Sequence, residues 1–355
     1  MDTNSSADKP ENAEDKIDTL AETTTGNEAK KMAFFPVPST QNNSFVSSGG
    51  HSSENESDNA SEHSSDPTSE GSSPRNTTRI PKKNRRLLLA VVSIILLGFM
   101  LASPSPFAIE MPGPTANVMG DVSTDSDTKM IDISGIKTYK DKGEMRLVTV
   151  SATGVPGYSV PTAMAIYAWF NPQMAVLPQE AVYSVDTTAD QYEEEGNNEM
   201  SQAQNSAIKV GLSFAHDKLN IDTSKAKVDI SVDDIGGPSA GMMYTLGIVS
   251  KLTPVDEAGG KIIAGTGTIE SDGSVGRIGG IQLKMIGAQR DGAQYFIAPQ
   301  GNCDEVVGHV PQGLQVFAVD NIDEAYETLV SIGKGETSAL RGCSVESNAT
   351  KTGKE

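Results

Sequence analysis

Apolar and polar positions fall into three regimes along the chain. From Met1 to Arg79 the sequence is rich in Ser, Asn, Asp, Glu and Thr, and its one apolar cluster, Ala33-Phe34-Phe35-Pro36-Val37, is interrupted by proline. Such a stretch buries too little apolar surface to offset the entropy of ordering it, which predicts a disordered, acidic tail over 1–80. Leu87 to Ala102 then runs sixteen residues without a charge, and the uncharged run continues to Ile109. Spanning the hydrocarbon core takes about 20 helical residues, so 87–109 is predicted to be a single transmembrane helix with the lipid bilayer as its partner.

Beyond Pro112-Gly113-Pro114, which breaks the helical pattern, strands and helices interleave. Alternation over Glu144–Thr153 predicts a strand, and Pro161–Phe170 a short helix opened by proline. Asp190–Leu219 predicts a long helix, acidic at its start, with Ala203, Ala207, Val210 and Phe214 on one face. Short elements follow: strands at 226–232, 261–269, 294–298 and 315–319, and helices at 239–252, 281–292, 302–308 and 321–332. A hairpin turn is expected at Asp272-Gly273. The expected fold is mixed α/β, of the α+β class. The expected division is 112–222 as an N-terminal part of the external region, 223–335 as a catalytic domain and 336–355 as a tail.

Charge changes the picture in two ways. With 28 basic against 47 acidic residues the net charge is −19, which disfavours phosphate backbones, and nucleic acid is not expected as a partner. The one tight basic cluster, Lys82-Lys83-Asn84-Arg85-Arg86, immediately precedes the apolar run, and Glu110 is the first charge after it. The positive-inside tendency therefore puts the N-terminus in the cytoplasm and the body outside the cell membrane. A cleaved signal peptide, with Leu101-Ala102-Ser103 as a loose cleavage site, would need an n-region of more than 80 residues. Two cysteines, Cys303 and Cys343, are too few for a zinc site; they are either a disulfide or two unrelated thiols. No metal or cofactor is expected, and no Gly-x-x-x-x-Gly-Lys-Ser/Thr run suggests nucleotide binding.

The candidate chemistry lies at Asp233-Asp234-Ile235-Gly236-Gly237-Pro238-Ser239-Ala240-Gly241, where a strand gives way to a helix. Glycines there permit close approach, and first-turn amides can hold an oxyanion beside the Ser239 hydroxyl. A plain helix cap would look the same. A serine needs a base. Lys284 lies beside the apolar arc of Ile281, Met285 and Ala288, where lost hydration would lower its pKa; a surface lysine snorkelling from a helix edge is the alternative. Gly237-x-Ser239-x-Gly241 also satisfies the esterase elbow pattern, for which His309 is the one histidine downstream.

Taken together these residues resemble the proteolytic domain of Lon-type proteases, over roughly Asp233 to Leu329. The resemblance rests on Gly237-Pro238-Ser239-Ala240-Gly241, Ala264-Gly265-Thr266-Gly267-Thr268-Ile269, Val275-Gly276-Arg277-Ile278-Gly279-Gly280 with Lys284, and Ala298-Pro299. It implies a Lon proteolytic-domain fold (ribosomal-protein-domain-2-like), Ser239 as nucleophile, Lys284 as general base and later acid, and Thr266 holding the lysine. It further implies a serine endopeptidase acting on unfolded or membrane-proximal proteins, and assembly into a homo-oligomer. No ATPase module accompanies the domain in this chain, so ATP independence is expected. The single span is similar to that of bacterial membrane proteins joining a PDZ module to a Lon domain. Between His216 and Asp233 there is no room for that module, and Gly236 stands where many Lon domains carry an acid. Two other classes remain as alternatives: a non-catalytic Lon-like scaffold at the membrane, and a Ser–His esterase using His309.

Overall fold

A computed structural model of the chain describes residues 82–122, 127–184, 186–232 and 235–344. The expected disordered tail over 1–80 and the acids Asp233 and Asp234 lie outside the described residues.

Helix α1 (Lys82–Ala102) is apolar with exposed side chains from residue 84 on. Among the described residues, Asn84–Ala102 is the one helix long and apolar enough to cross a membrane. The uncharged run does not continue as helix to Ile109. Pro104 and Pro106 cannot propagate it, and strand β1 (Phe107–Asn117) begins instead. Pro112-Gly113-Pro114 likewise opens no new segment: it lies inside β1, where the pairing register shifts between Pro112 and Thr115.

From Pro104 onward the chain forms one body. Its elements are β2 (Ile131–Ser134), β3 (Glu144–Thr153), α2 (Thr162–Trp169), β4 (Ala175–Pro178), α3 (Ala189–Asp217), β5 (Lys227–Ile230), α4 (Gly241–Leu252), β6 (Ile262–Gly265), β7 (Thr268–Ile269), β8 (Val275–Gly276), α5 (Ile281–Arg290), β9 (Tyr295–Pro299), α6 (Cys303–Val306), β10 (Gln315–Val319) and α7 (Ile322–Lys334). Six strands form one sheet in the order β10-β9-β6-β3-β1-β4. The pairs β3–β6, β6–β9 and β9–β10 are parallel, while β1 runs antiparallel to both its neighbours. The division expected at residue 222 therefore does not hold, because β1 and β3 share a sheet with β6, β9 and β10. The segment after 335 is not wholly a tail either: the Ala318 amide donates to the Arg341 carbonyl, and Cys343 is disulfide-bonded to Cys303.

Period-two alternation sorts the strand residues onto two faces. Leu147, Ile263 and Ile297 join the larger core around α4, whereas Val148, Ala264, Phe296 and Ala298 join the smaller core beneath α5. Every residue of α4 is buried, between the sheet, α3 and α7. Helix α3 starts at a capping box: the Thr188 hydroxyl accepts from the Gln191 amide, and the Gln191 side chain accepts from the Thr188 amide. Ala203, Ala207, Val210 and Phe214 are buried along α3, as its periodicity predicts.

Candidate active site

Ser239 stands on a 3-10 turn, Pro238–Ala240, that leads into α4 at Gly241, so the helix expected from 239 begins two residues later. Gly237 takes φ +88°, a conformation a side chain would strain, and its amide donates to the Gly196 carbonyl of α3 at 3.1 Å. That bond pins the serine loop to the long helix. The Ser239 carbonyl accepts from the Gly267 amide at 2.8 Å and from the Thr266 hydroxyl at 3.1 Å. In return the Met242 amide donates to the Gly267 carbonyl at 3.0 Å. The half-buried serine is thus laced to the end of β6.

Lys284 reaches the same place from α5. Gly280 caps that helix in the left-handed region, at φ +65°, and packs so closely on Val150 of β3 that a Cβ would collide with its methyl group. The lysine side chain is 4% exposed, and its Nζ donates to Thr266 Oγ1 at 3.3 Å. Burial pulls its pKa down to about 7, against the opposing pull of Glu110, which raises it. The surface-snorkelling alternative is excluded by that burial. The structure thus joins the three expected residues in one chain of contacts, from Lys284 through the Thr266 hydroxyl to the Ser239 carbonyl.

Glu110 is the residue that sequence reading missed. In the sequence it reads only as the first charge after the apolar run. In the structure it sits in β1, 2% exposed, and its Oε1 makes no hydrogen bond among the described residues. Burial raises its pKa to about 7, and Lys284 acts in the other direction. A signal was available: Glu110 is the one charged residue between Arg86 and Asp121. A lone acid in an apolar stretch is an expensive residue to bury and so a candidate for chemistry.

Two expectations change in detail. The amides of Gly237, Gly241 and Met242 are each committed to a backbone carbonyl, so an oxyanion must take its donors from other positions of the turn. His309 is exposed on the stretch between α6 and β10, unlike the enclosed lysine. Beside the serine loop, a cavity of about 280 Å³ is lined by Tyr183, Tyr192, Glu195, Glu199 and the same Gly196 that holds Gly237.

Residues 198–331 match the family model of the Lon protease (S16) C-terminal proteolytic domain. Over that stretch, which holds Ser239, Thr266 and Lys284, the chain is similar to a Lon-type proteolytic domain. The chain is 30% identical over 168 residues to the Lon protease of Ureaplasma parvum serovar 3, covering 42% of this chain and 20% of that protein. It is 38% identical over 91 residues to the Lon protease of Acinetobacter baumannii, covering 25% and 11% respectively. A mitochondrial Lon protease homolog of Candida glabrata is 35% identical over 100 residues, 27% of this chain and 9% of the relative. The chain thus spans a fifth or less of the length of these relatives.

Proposed function

We infer that this chain is a membrane-anchored serine endopeptidase in which Ser239 is the nucleophile and Lys284 the general base. The observation that carries the reading is the enclosed Lys284 amine, hydrogen-bonded to Thr266 and drawn to about pH 7 by burial. In its neutral form the amine donates one hydrogen to Thr266 Oγ1 and keeps a lone pair for the Ser239 hydroxyl proton. Thr266 fixes both ends of the dyad, because its own hydroxyl is donated to the Ser239 carbonyl. Attack of Ser239 Oγ on a peptide carbonyl gives a tetrahedral adduct. The Lys284 ammonium then protonates the departing amine, leaving an acyl ester on Ser239. Lys284 next takes a proton from water, and the hydroxide adds to the ester carbonyl. As the adduct collapses, the Lys284 ammonium returns that proton to Ser239 Oγ, freeing the acid product and restoring the serine.

Anchoring rests on the apolar helix Asn84–Ala102 and its basic flank, and the extracytoplasmic placement on the positive-inside tendency. The Cys303–Cys343 disulfide supports an oxidising compartment. Attack by Ser239 with Lys284 as the base consumes no nucleotide, so the reading is proteolysis of extracytoplasmic proteins without ATP. Burial of Lys284 beside Thr266 favours this dyad over an esterase built on exposed His309, and over a scaffold with no use for a buried amine.

The test is peptide mass spectrometry of an unfolded protein such as casein, incubated without ATP with the full chain in detergent micelles. Wild type should release new peptides, and Ser239→Ala and Lys284→Ala should release none. Equal release from the Lys284→Ala protein would sink the dyad, and no release from any of the three would favour the scaffold.

A further inference from the structure

Apart from the apolar part of α1, the described residues expose large apolar side chains mainly in one region, around α2. Trp169 is 70% exposed and Phe170 83%, and Tyr158, Ile166 and Tyr167 are exposed beside them. Helix α2 buries Ala165 and Ala168 against Ile109 of β1, with Val160 completing the cluster, and turns its bulkiest residues outward. Amphipathic packing normally does the reverse. From Leu147 through Gln179 no residue is charged, in a chain that is 21% charged and carries −19 overall.

The place of this face along the chain says what it meets. The apolar helix ends at Ala102, and two residues later Pro104 is bridged to Pro161, the residue that caps α2. The Ser105 amide donates to the Val160 carbonyl at 2.8 Å, and Phe107 packs edge-on against Trp169 with ring centroids 6.3 Å apart. Aromatic side chains of this kind, apolar in body with a polar edge on Trp and Tyr, concentrate at the boundary between hydrocarbon and headgroups. Where the body is held within a few residues of a membrane-spanning helix, that boundary lies in reach of α2.

We propose that α2 and its flanks form a bilayer-docking surface, with Trp169, Phe170, Tyr167 and Ile166 seated among lipid headgroups and upper acyl chains. This rests on the reading of Asn84–Ala102 as a span. The uncharged stretch lets an otherwise acidic body approach lipid without electrostatic repulsion. Alternation along β1 separates the two roles: Ile109 packs under α2, whereas Glu110, its neighbour, serves the Lys284 site. Docking would hold the body in one orientation on the membrane, with the lysine site on the other face of β1 from the lipid.

Trp169 is the one tryptophan in the chain, so its fluorescence reports this surface alone. The full chain is reconstituted into phosphatidylcholine vesicles with and without bromine on the upper acyl carbons, after carbonate-resistant flotation has verified insertion. The expected result is loss of most Trp169 emission in brominated vesicles, with much of it recovered in Phe170→Glu. A chain that floats but keeps its emission, with Trp169 open to acrylamide, overturns the docking surface while leaving the span intact. A floating chain whose Trp169 is reached by neither quencher overturns it in favour of a second copy covering the face. A chain that carbonate strips from the vesicles overturns the span reading and this proposal together.

Discussion

On the proposed mechanism the pKa of Lys284 sets when Ser239 reacts, and the pH dependence of that reaction follows from the burial of the amine. With the amine near pKa 7, about 1% is neutral at pH 5 and about 90% at pH 8, given a ten-fold change per unit. An ordinary lysine near 10.4 would leave roughly a thousand-fold less free amine at pH 7. Reaction of Ser239 with a fluorophosphonate probe should therefore rise about ten-fold per unit below pH 7 and level off by about pH 8–9. Glu110 ionises over the same interval and holds the lysine proton harder, so the upper part of the rise should be shallower than a single titration. The assay is the second-order labelling rate of the full chain from pH 5 to pH 10, with Ser239→Ala as the blank. Lys284→Arg, whose guanidinium stays protonated, should not label at any pH in that range. A rate still climbing ten-fold per unit through pH 9 would falsify the buried-base argument, as would one unchanged by Lys284→Met.

Four further outcomes follow from the same geometry. Thr266→Val should cut labelling about ten-fold or more, because it removes the hydroxyl from a buried amine worth about 1–3 kcal/mol of satisfaction; Thr266→Ser should restore most of it. Glu110→Gln should move the rising limb to lower pH and sharpen it, since the carboxylate that holds the lysine proton is gone; a limb that stays put would show that Glu110 does not act on Lys284. Replacing Cys303 and Cys343 together by Ala should lower unfolding free energy by up to about 4 kcal/mol for a 40-residue separation, read by urea titration in micelles against the oxidised wild type, with the reduced wild type expected to match the variant. A fragment beginning at 111 should be far less soluble than one beginning at 104, because it lacks the β1 residues paired with β4 and the buried Ala108, Ile109 and Glu110.

The candidate site was legible in part because its backbone demands are local. A serine on a glycine-bounded turn and a lysine beside an apolar arc are patterns that each complete themselves within a few residues. The face of α3 was legible for the same reason, through its three- and four-residue spacing. What the sequence hid is non-local. The run from Leu87 to Ile109 reads as one apolar segment, and nothing in hydropathy distinguishes an exposed residue such as Leu96 from Ile109, which is buried in the sheet. Only the prolines at 104 and 106 mark the change. The role of Glu110 depends on the pairing of β1 with β3 and the placement of α5 across both, partners that lie up to about 170 residues away in sequence. The outward aromatics of α2 were invisible as well, because an eight-residue helix this apolar has no polar stripe from which to read a facing.

Glu110 and Lys284 make the site expensive in the pH range where it would work. The lysine is harder to protonate in the folded chain than in the unfolded one. Its cost, on the order of 5 kcal/mol, is present in full below about pH 7 and fades as pH rises toward its unfolded value. The glutamate is harder to ionise when folded. Its cost, on the order of 3 kcal/mol, is absent in acid, grows from its unfolded value near 4.5 and is complete above about pH 7. The two costs overlap around neutrality, where they rival the whole stability of an ordinary domain, about 5–15 kcal/mol. The rest of the body must offset them, which gives a reason for the fully buried α4 and the large core around it. A purely structural domain would relieve both costs with two apolar residues. Retaining an acid pushed up and an amine pulled down by burial in that position is what the proposed proton transfer would require.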